Sequence, residues 1–159
     1  MPARRARRSS FGFTLVELLV VLVIIGITLG LATLNAIPSP RQDLENEAKR
    51  IALLLQLARD EAIVRNRLVA FEANGERYRF MVRGDTGWAP VTRDDLLRER
   101  SFKNPPLRLV LEPSGTGGPD MLRITFGREP VDRPFVLTLA SGANAVAIRA
   151  DGVGHFTVE

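Results

Sequence analysis

The stretch that decides how this chain is built runs Gly12-Phe13-Thr14-Leu15-Val16-Glu17-Leu18-Leu19 and continues almost without a polar residue to Ile37. The apolar block Phe13–Ile37 is about 25 residues, or roughly 37 Å as a helix at about 1.5 Å per residue. A hydrocarbon core of roughly 30 Å can be spanned by such a helix with some tilt. The block is too long for the apolar core of an ordinary secretory signal, and no convincing small-x-small cleavage site ends it, although Leu31-Ala32-Thr33 is loosely permissive. Hydropathy alone fits a plain uncleaved anchor as well as a processed subunit. Glu17 breaks that tie. A charge at the centre of a membrane helix costs roughly 2.5–3.5 kcal/mol on insertion scales, less near the interface, and such a group usually has a partner. An anchor has no use for it.

Outward from this block, composition bounds the rest. The chain has 159 residues, 45% of them hydrophobic, which suits one domain plus accessories. Arg4, Arg5, Arg7 and Arg8 equal the whole formal charge of +4, so the remainder is neutral and the basicity belongs to the amino terminus. Arginines beside an apolar segment hold that end on the cytoplasmic side. There is no cysteine, which excludes disulfides, thiolate chemistry and cysteine-based metal sites.

The junction Arg7-Arg8-Ser9-Ser10-Phe11-Gly12 followed by Phe13-Thr14-Leu15-Val16-Glu17 resembles the type IV prepilin signature: a short basic leader ending in Gly, an aromatic residue next, Glu fifth after the break, then an apolar run. The resemblance implies cleavage between Gly12 and Phe13 by a prepilin peptidase on the cytoplasmic face, and N-methylation of Phe13. Residues i and i+4 share a helix face, and helical side chains lean toward the amino terminus. Glu17 can thus address the new amine of Phe13, on its own chain or on a neighbour. In filaments of this family the neighbour is the expected partner, which makes Glu17 a register device. Gly26 and Gly30 form a G-x-x-x-G step that permits close helix approach, although small residues also recur there by chance.

Pro38 and Pro40 predict a break. Beyond it Leu44, Ala48, Ile51, Leu55, Ala58 and Ala62 recur at steps of four and three, one apolar face of an amphipathic helix over 41–67 with Asp43 as its N-cap. This stripe is expected to pack on the sheet that follows. From Leu68 the period turns toward two. Leu68–Ala73 and Arg77–Val82 flank Asn74-Gly75, the strongest short hairpin signal. Leu107, Leu109 and Leu111 alternate, as do Leu122, Ile124 and Phe126, then Phe135, Leu137 and Leu139. Val146 and Ile148 precede Asp151-Gly152, and Phe156 and Val158 complete that pair. About seven strands predict a small β-sandwich or two-sheet body over 68–159. Gly84–Pro106 reads as irregular, with a short helix at Asp94–Arg100 and Trp88 as a loop anchor.

Ala48–Arg67, the Asn74-Gly75 hairpin, Tyr78–Phe80, Gly87–Val91 and Pro134–Leu139 resemble the minor pseudopilin H (GspH) family of type II secretion systems. The implied fold is α+β and type IV pilin-like: a leader over 1–12 that is removed, a transmembrane and filament-core helix over 13–37, the amphipathic helix over 41–67, and a periplasmic β domain. The implied role is a structural subunit of the pseudopilus that helps export folded proteins. The implied partners are other major and minor pseudopilins, the prepilin peptidase and methyltransferase, and the inner-membrane secretion platform. The chain would be single-pass in the inner membrane with its amino terminus cytoplasmic. The wider family also holds type IV minor pilins such as FimT and FimU, which act in pilus assembly or DNA uptake. Many of those carry a cysteine pair that this chain lacks.

Catalytic readings find little purchase. His155 is the sole histidine, on a terminal hairpin, and no serine sits in a Gly-x-Ser-x-Gly elbow. Asp85 and Asp94-Asp95 are isolated acids, whereas calcium needs several converging oxygens. The loop Pro113–Pro119 lacks the Gly-Lys-Ser/Thr of a phosphate-binding loop. No enzyme activity, cofactor or metal is expected. A nucleic-acid partner would need a basic surface. Arg65, Arg67, Arg77, Arg79 and Arg83 could supply one, yet acids balance the chain after its leader.

Overall fold

In the computed structural model the described residues are 14–34, 39–92, 94–114, 121–129 and 131–159. The chain divides into two compact units, one ending at Pro38 and one starting at Ser39. Helix α1 (Leu15–Leu34) belongs to the first. Thr14 caps it, its Oγ1 accepting the Glu17 amide at 3.2 Å. The Thr-x-x-Glu spacing from Thr14 to Glu17 is that of a capping box. The expected Gly12–Phe13 junction and Pro38 lie outside the described residues.

The second unit opens with α2 (Pro40–Val64). Its N-cap is Ser39, not Asp43. Ser39 is extended (φ −68°, ψ 150°) and its Oγ accepts the Gln42 amide at 3.2 Å. Pro40, which has no amide to leave unsatisfied and a φ already suited to helix, takes the first helical position. Asp43 therefore falls within the first turn. Its carboxylate instead accepts from Lys103 Nζ at 2.8 Å and Asn104 Nδ2 at 3.3 Å, and Lys103 leads in holding its pKa below the usual value. At the other end Asn66 turns left-handed (φ 51°). The Asn66 amide reaches Ile63 O and the Arg67 amide reaches Ala62 O. This is a Schellman closure, and it stops α2 at Val64.

Two antiparallel sheets follow. The first contains β1 (Val69–Ala73), β2 (Arg77–Gly84), β3 (Gly87–Pro90), β4 (Arg100–Ser101) and β6 (Leu122–Phe126), in the order β3-β2-β1-β6 with β4 also on β2. The second contains β5 (Arg108–Glu112), β7 (Phe135–Ser141), β8 (Asn144–Ala150) and β9 (Phe156–Val158), in the order β5-β7-β8-β9. Helix α2 packs against β1 and β6 of one sheet and β7, β8 and β9 of the other. Its stripe of Leu44, Ala48, Ile51, Leu55, Ala58 and Ala62 is wholly buried. Phe71, Tyr78, Phe80 and Phe102 form the aromatic heart of the same core, with centroids 5.3–6.3 Å apart. Each such large side chain contributes roughly 1.5–3 kcal/mol by leaving water.

The β1–β2 hairpin is present, but its loop is Gly75-Glu76. Asn74 occupies the position before the loop, where its Oδ1 accepts the amides of Glu76 and Arg77, both at 2.9 Å. Gly75 sits close to the chain: a Cβ there would meet Leu107 O at 3.0 Å, a tight contact that the neighbouring backbone would have to ease. The segment Gly84–Pro106 holds more order than its composition suggests. It provides β3 and β4, which raise the strands to nine among the described residues. The short helix expected at Asp94–Arg100 is absent. Asp94 Oδ1 caps one turn by accepting the amides of Leu96 and Leu97, but Leu97 is buried and Arg100 must reach Tyr78 in the ladder. No length is left for a second turn.

Arg59 on α2 is buried and lies under the β8–β9 loop. Gly154 there has φ +111°, and a Cβ on it would sit 2.6 Å from Arg59 Nη1. The Asp132 carboxylate lies 3.9 Å from Arg59 Nε, and the Asp132 amide donates to Gly152 O at 2.7 Å. The Arg59 guanidinium thus packs beneath the β8–β9 loop and beside Asp132 of the loop between β6 and β7.

Candidate assembly surfaces

Helix α1 presents apolar side chains on every side. Leu15, Leu18, Leu22, Ile27 and Leu29 are each more than half exposed within the chain. Such a helix needs lipid or other helices around it. A Cβ added at Gly26 or Gly30 would meet nothing within 4 Å, so the small-residue step is open to a neighbour. Glu17 is exposed in the first turn, where its negative charge complements the helix amino-terminal dipole. Among the described residues no helix is long and apolar enough to cross a membrane. The span read from the sequence, 13–37, reaches past both ends of the described part of α1. Of the three expected site residues, Gly12 and Phe13 lie outside the described residues and only Glu17 is seen.

On the body, the face of the first sheet turned away from α2 carries an ion-pair row invisible to sequence periodicity. Glu72 stands opposite Arg79 on one side and Arg123 on the other. Arg79 Nε donates to Glu72 Oε2 at 2.8 Å, and Arg123 Nε donates to Oε1 at 2.8 Å. The Glu72 side chain is 1% exposed. Burial would raise its pKa, but the hydrogen bonds from Arg123 and Arg79 overcome this and leave it lowered. Trp88 is a strand residue on β3. The guanidinium carbons of Arg123 and Arg83 stand 5.4 and 5.8 Å from its ring centroid, within cation–π range.

The five arginines that could have made a basic surface are divided in their partners. Arg65 pairs with Glu61, Arg77 with Glu99 at 3.1 Å, Arg79 with Glu72, and Arg83 stacks on Trp88. The Arg67 side chain has no partner among the described residues. His155 lies in an exposed turn with Nδ1 2.6 Å from Asp151 Oδ2. That contact leads in lowering Asp151 to about 2, against the cost of burial, with the Val153 and His155 amides adding to it. The pair locks a turn. Among the described residues no three acidic or histidine side chains converge as metal ligands.

An apolar helix with a carboxylate in its first turn, together with a body of one amphipathic helix on two antiparallel sheets, defines a type IV pilin-like subunit. The description of type II transport protein GspH matches residues 47–154, and that of the prokaryotic N-terminal methylation motif matches residues 7–33. The chain is 34% identical to type II secretion system protein H of Pseudomonas aeruginosa over 164 residues, covering 91% of this chain and 93% of that protein. It is also 34% identical to type II secretion system protein H of Aeromonas hydrophila over 98 residues, 59% of this chain and 52% of that one. Solved structures share its fold, two of them as follows. The minor pseudopilin EpsH of Vibrio cholerae aligns with a TM-score of 0.58 at 16% identity, over 74% of this chain and 96% of that one. Escherichia coli GspH in solution aligns with a TM-score of 0.57 at 20% identity, over 77% and 95%. The chain belongs to the type II transport protein GspH family.

Proposed function

We infer that the chain is a minor pseudopilin, a structural subunit of the type II secretion pseudopilus that helps export folded proteins across the outer membrane. The observation that carries this is the joint presence, on one chain, of the methylation motif over 7–33 and the GspH description over 47–154. Its work is assembly rather than catalysis. The leader 1–12 is removed between Gly12 and Phe13 by the prepilin peptidase, and the Phe13 amine is methylated. Residues 13–37 hold the subunit in the inner membrane with the body in the periplasm, and later form part of the filament core. Its partners are other pseudopilins and the inner-membrane secretion platform.

Glu17 is the register device in this scheme. Packing among apolar helices is broadly tolerant, because lipid and protein are similarly apolar. A carboxylate and a terminal amine out of water are not tolerant, since an unpaired charge there is strongly unfavourable. Thr14 supports the reading, because its cap fixes where α1 begins and so where Glu17 stands. In a deletion strain, Glu17→Leu should be cleaved normally and accumulate in the inner membrane, yet co-purify poorly with partner pseudopilins and lower export of folded periplasmic cargo. Glu17→Asp should be intermediate, its charge kept on a shorter reach. Wild-type secretion by the Leu variant would overturn the role of Glu17. Loss of pilus motility or DNA uptake with secretion untouched would overturn the type II assignment.

A further inference from the structure

A cleft of about 340 Å³ opens where α2 ends, between its last turn, the start of β1, the end of β2 and the segment after β3. Its floor is apolar: Val69 and Leu97 are buried, and Val82 and Val91 are half-buried. Glu61 and Arg65 line one side and neutralise each other. Arg67 lines it too, exposed and without a side-chain partner among the described residues. The Arg67 backbone is pinned by the helix closure through Ala62 O, so its guanidinium starts from a fixed point. Large apolar residues next in sequence to the lining are exposed: Val64 at 82% and Leu96 at 54%. Among the described residues, no hydrogen bond or ion pair takes up the Arg67 side chain at the edge of this apolar floor.

Their combination specifies a ligand. An apolar floor inside a pocket takes a bulky side chain, the usual anchor of a protein interface. A guanidinium at its edge takes a carboxylate, in a bidentate manner where geometry allows. A nucleic-acid backbone fits poorly, because among the described residues lining the cleft it would meet one unpaired guanidinium, with Glu61 beside it. A lipid surface fits poorly as well, because the apolar atoms lie in a hollow rather than on a bulge.

We propose that this cleft seats an acidic-apolar segment of a neighbouring subunit, with one aliphatic or aromatic side chain on the Val69–Val82–Leu97 floor and an adjacent carboxylate on Arg67. This rests on the reading of the chain as an assembling subunit. The test uses the full chain in its own cells with p-benzoyl-phenylalanine at position 92, on the cleft wall, and separately at position 22, on α1. Irradiation at position 92 should give a peptide adduct that contains Asp or Glu beside an apolar residue. Arg67→Glu should reduce that adduct by about tenfold or more, the scale of losing a charge-assisted contact, and Arg67→Lys should retain part of it. Reversing the partner's acidic residue to Arg should restore the adduct to Arg67→Glu. Since Arg67 is exposed, these variants should keep the wild-type unfolding transition. An adduct to lipid or nucleic acid, an adduct unmoved by Arg67→Glu, or none at position 92 while position 22 still crosslinks would overturn the cleft and leave the assembly reading standing. Failure at both positions would overturn both.

Discussion

Glu72 is a strand carboxylate enclosed by its own sheet. Taking it out of water is unfavourable, and only two guanidinium groups in register with it make the position tolerable. Arg79 and Arg123 keep 38% and 33% of their side-chain exposure, so they can rehydrate if Glu72 is removed. Glu72→Gln should therefore lower stability by about 2 kcal/mol rather than by the larger cost of stranding a fully buried charge. Denaturant unfolding of the full chain in detergent measures it. The pH dependence has a definite sign. The folded pKa is lowered, so the contribution is complete above the ordinary value of 4.5 and is lost as pH falls through the folded value. Wild type and Glu72→Gln should differ at near-neutral pH and draw together as pH falls below 4.5 and through the lowered folded value. A gap that stays constant with pH would show that Glu72 acts through shape alone.

At the scale of elements, the start of α2 depends on Ser39. Ser39→Ala removes the acceptor for the Gln42 amide and should lower the unfolding free energy by about 1 kcal/mol. Asp43→Ala, which breaks only the contacts to Lys103 and Asn104, should cost clearly less than Ser39→Ala. Equal losses would return the cap to Asp43. The apolar stripe from Leu44 to Ala62 was legible because burial imposes a period that survives any choice of cap. The cap was not, because Ser39 and Asp43 both carry oxygens and only the fit of Pro40 to the first helical position separates them. The strands over 107–111, 122–126, 135–139 and 146–148 were likewise written in alternation. β3 and β4 were not: β3 is four residues beside Pro90, β4 is two, and both exist by pairing with the edge of β2 rather than by any pattern of their own. The Glu72 row needed tertiary register, since Arg123 lies far along the chain from Glu72. Only Gly84-Asp85-Thr86-Gly87 carried a local turn signal for β3. The cleft beside Arg67 had none, because its floor is assembled from Val69, Val82, Val91 and Leu97 in separate segments.

For the molecule as a whole, the unit from Ser39 onward holds α2, both sheets and the buried core that joins them. We expect a chain of residues 39–159 to be soluble and monomeric, with mainly β circular dichroism plus one helix and a single cooperative unfolding transition. A start at Asp43 would discard Ser39, Pro40 and the capped turn, and should give a less stable product. A fragment from Ser39 that remains unfolded would show that the body needs the preceding segment. The placement of α2 has a mechanical corollary. It touches β1, β6, β7, β8 and β9 across both sheets, and its buried residues run from Leu44 to Ala62. A pull delivered at Ser39 along the helix axis loads those contacts in parallel, as shear, and cannot peel them one at a time. Resistance to such a pull is governed by the rate of unfolding. A subunit pulled by its helical end would thus bear tension across both of its sheets.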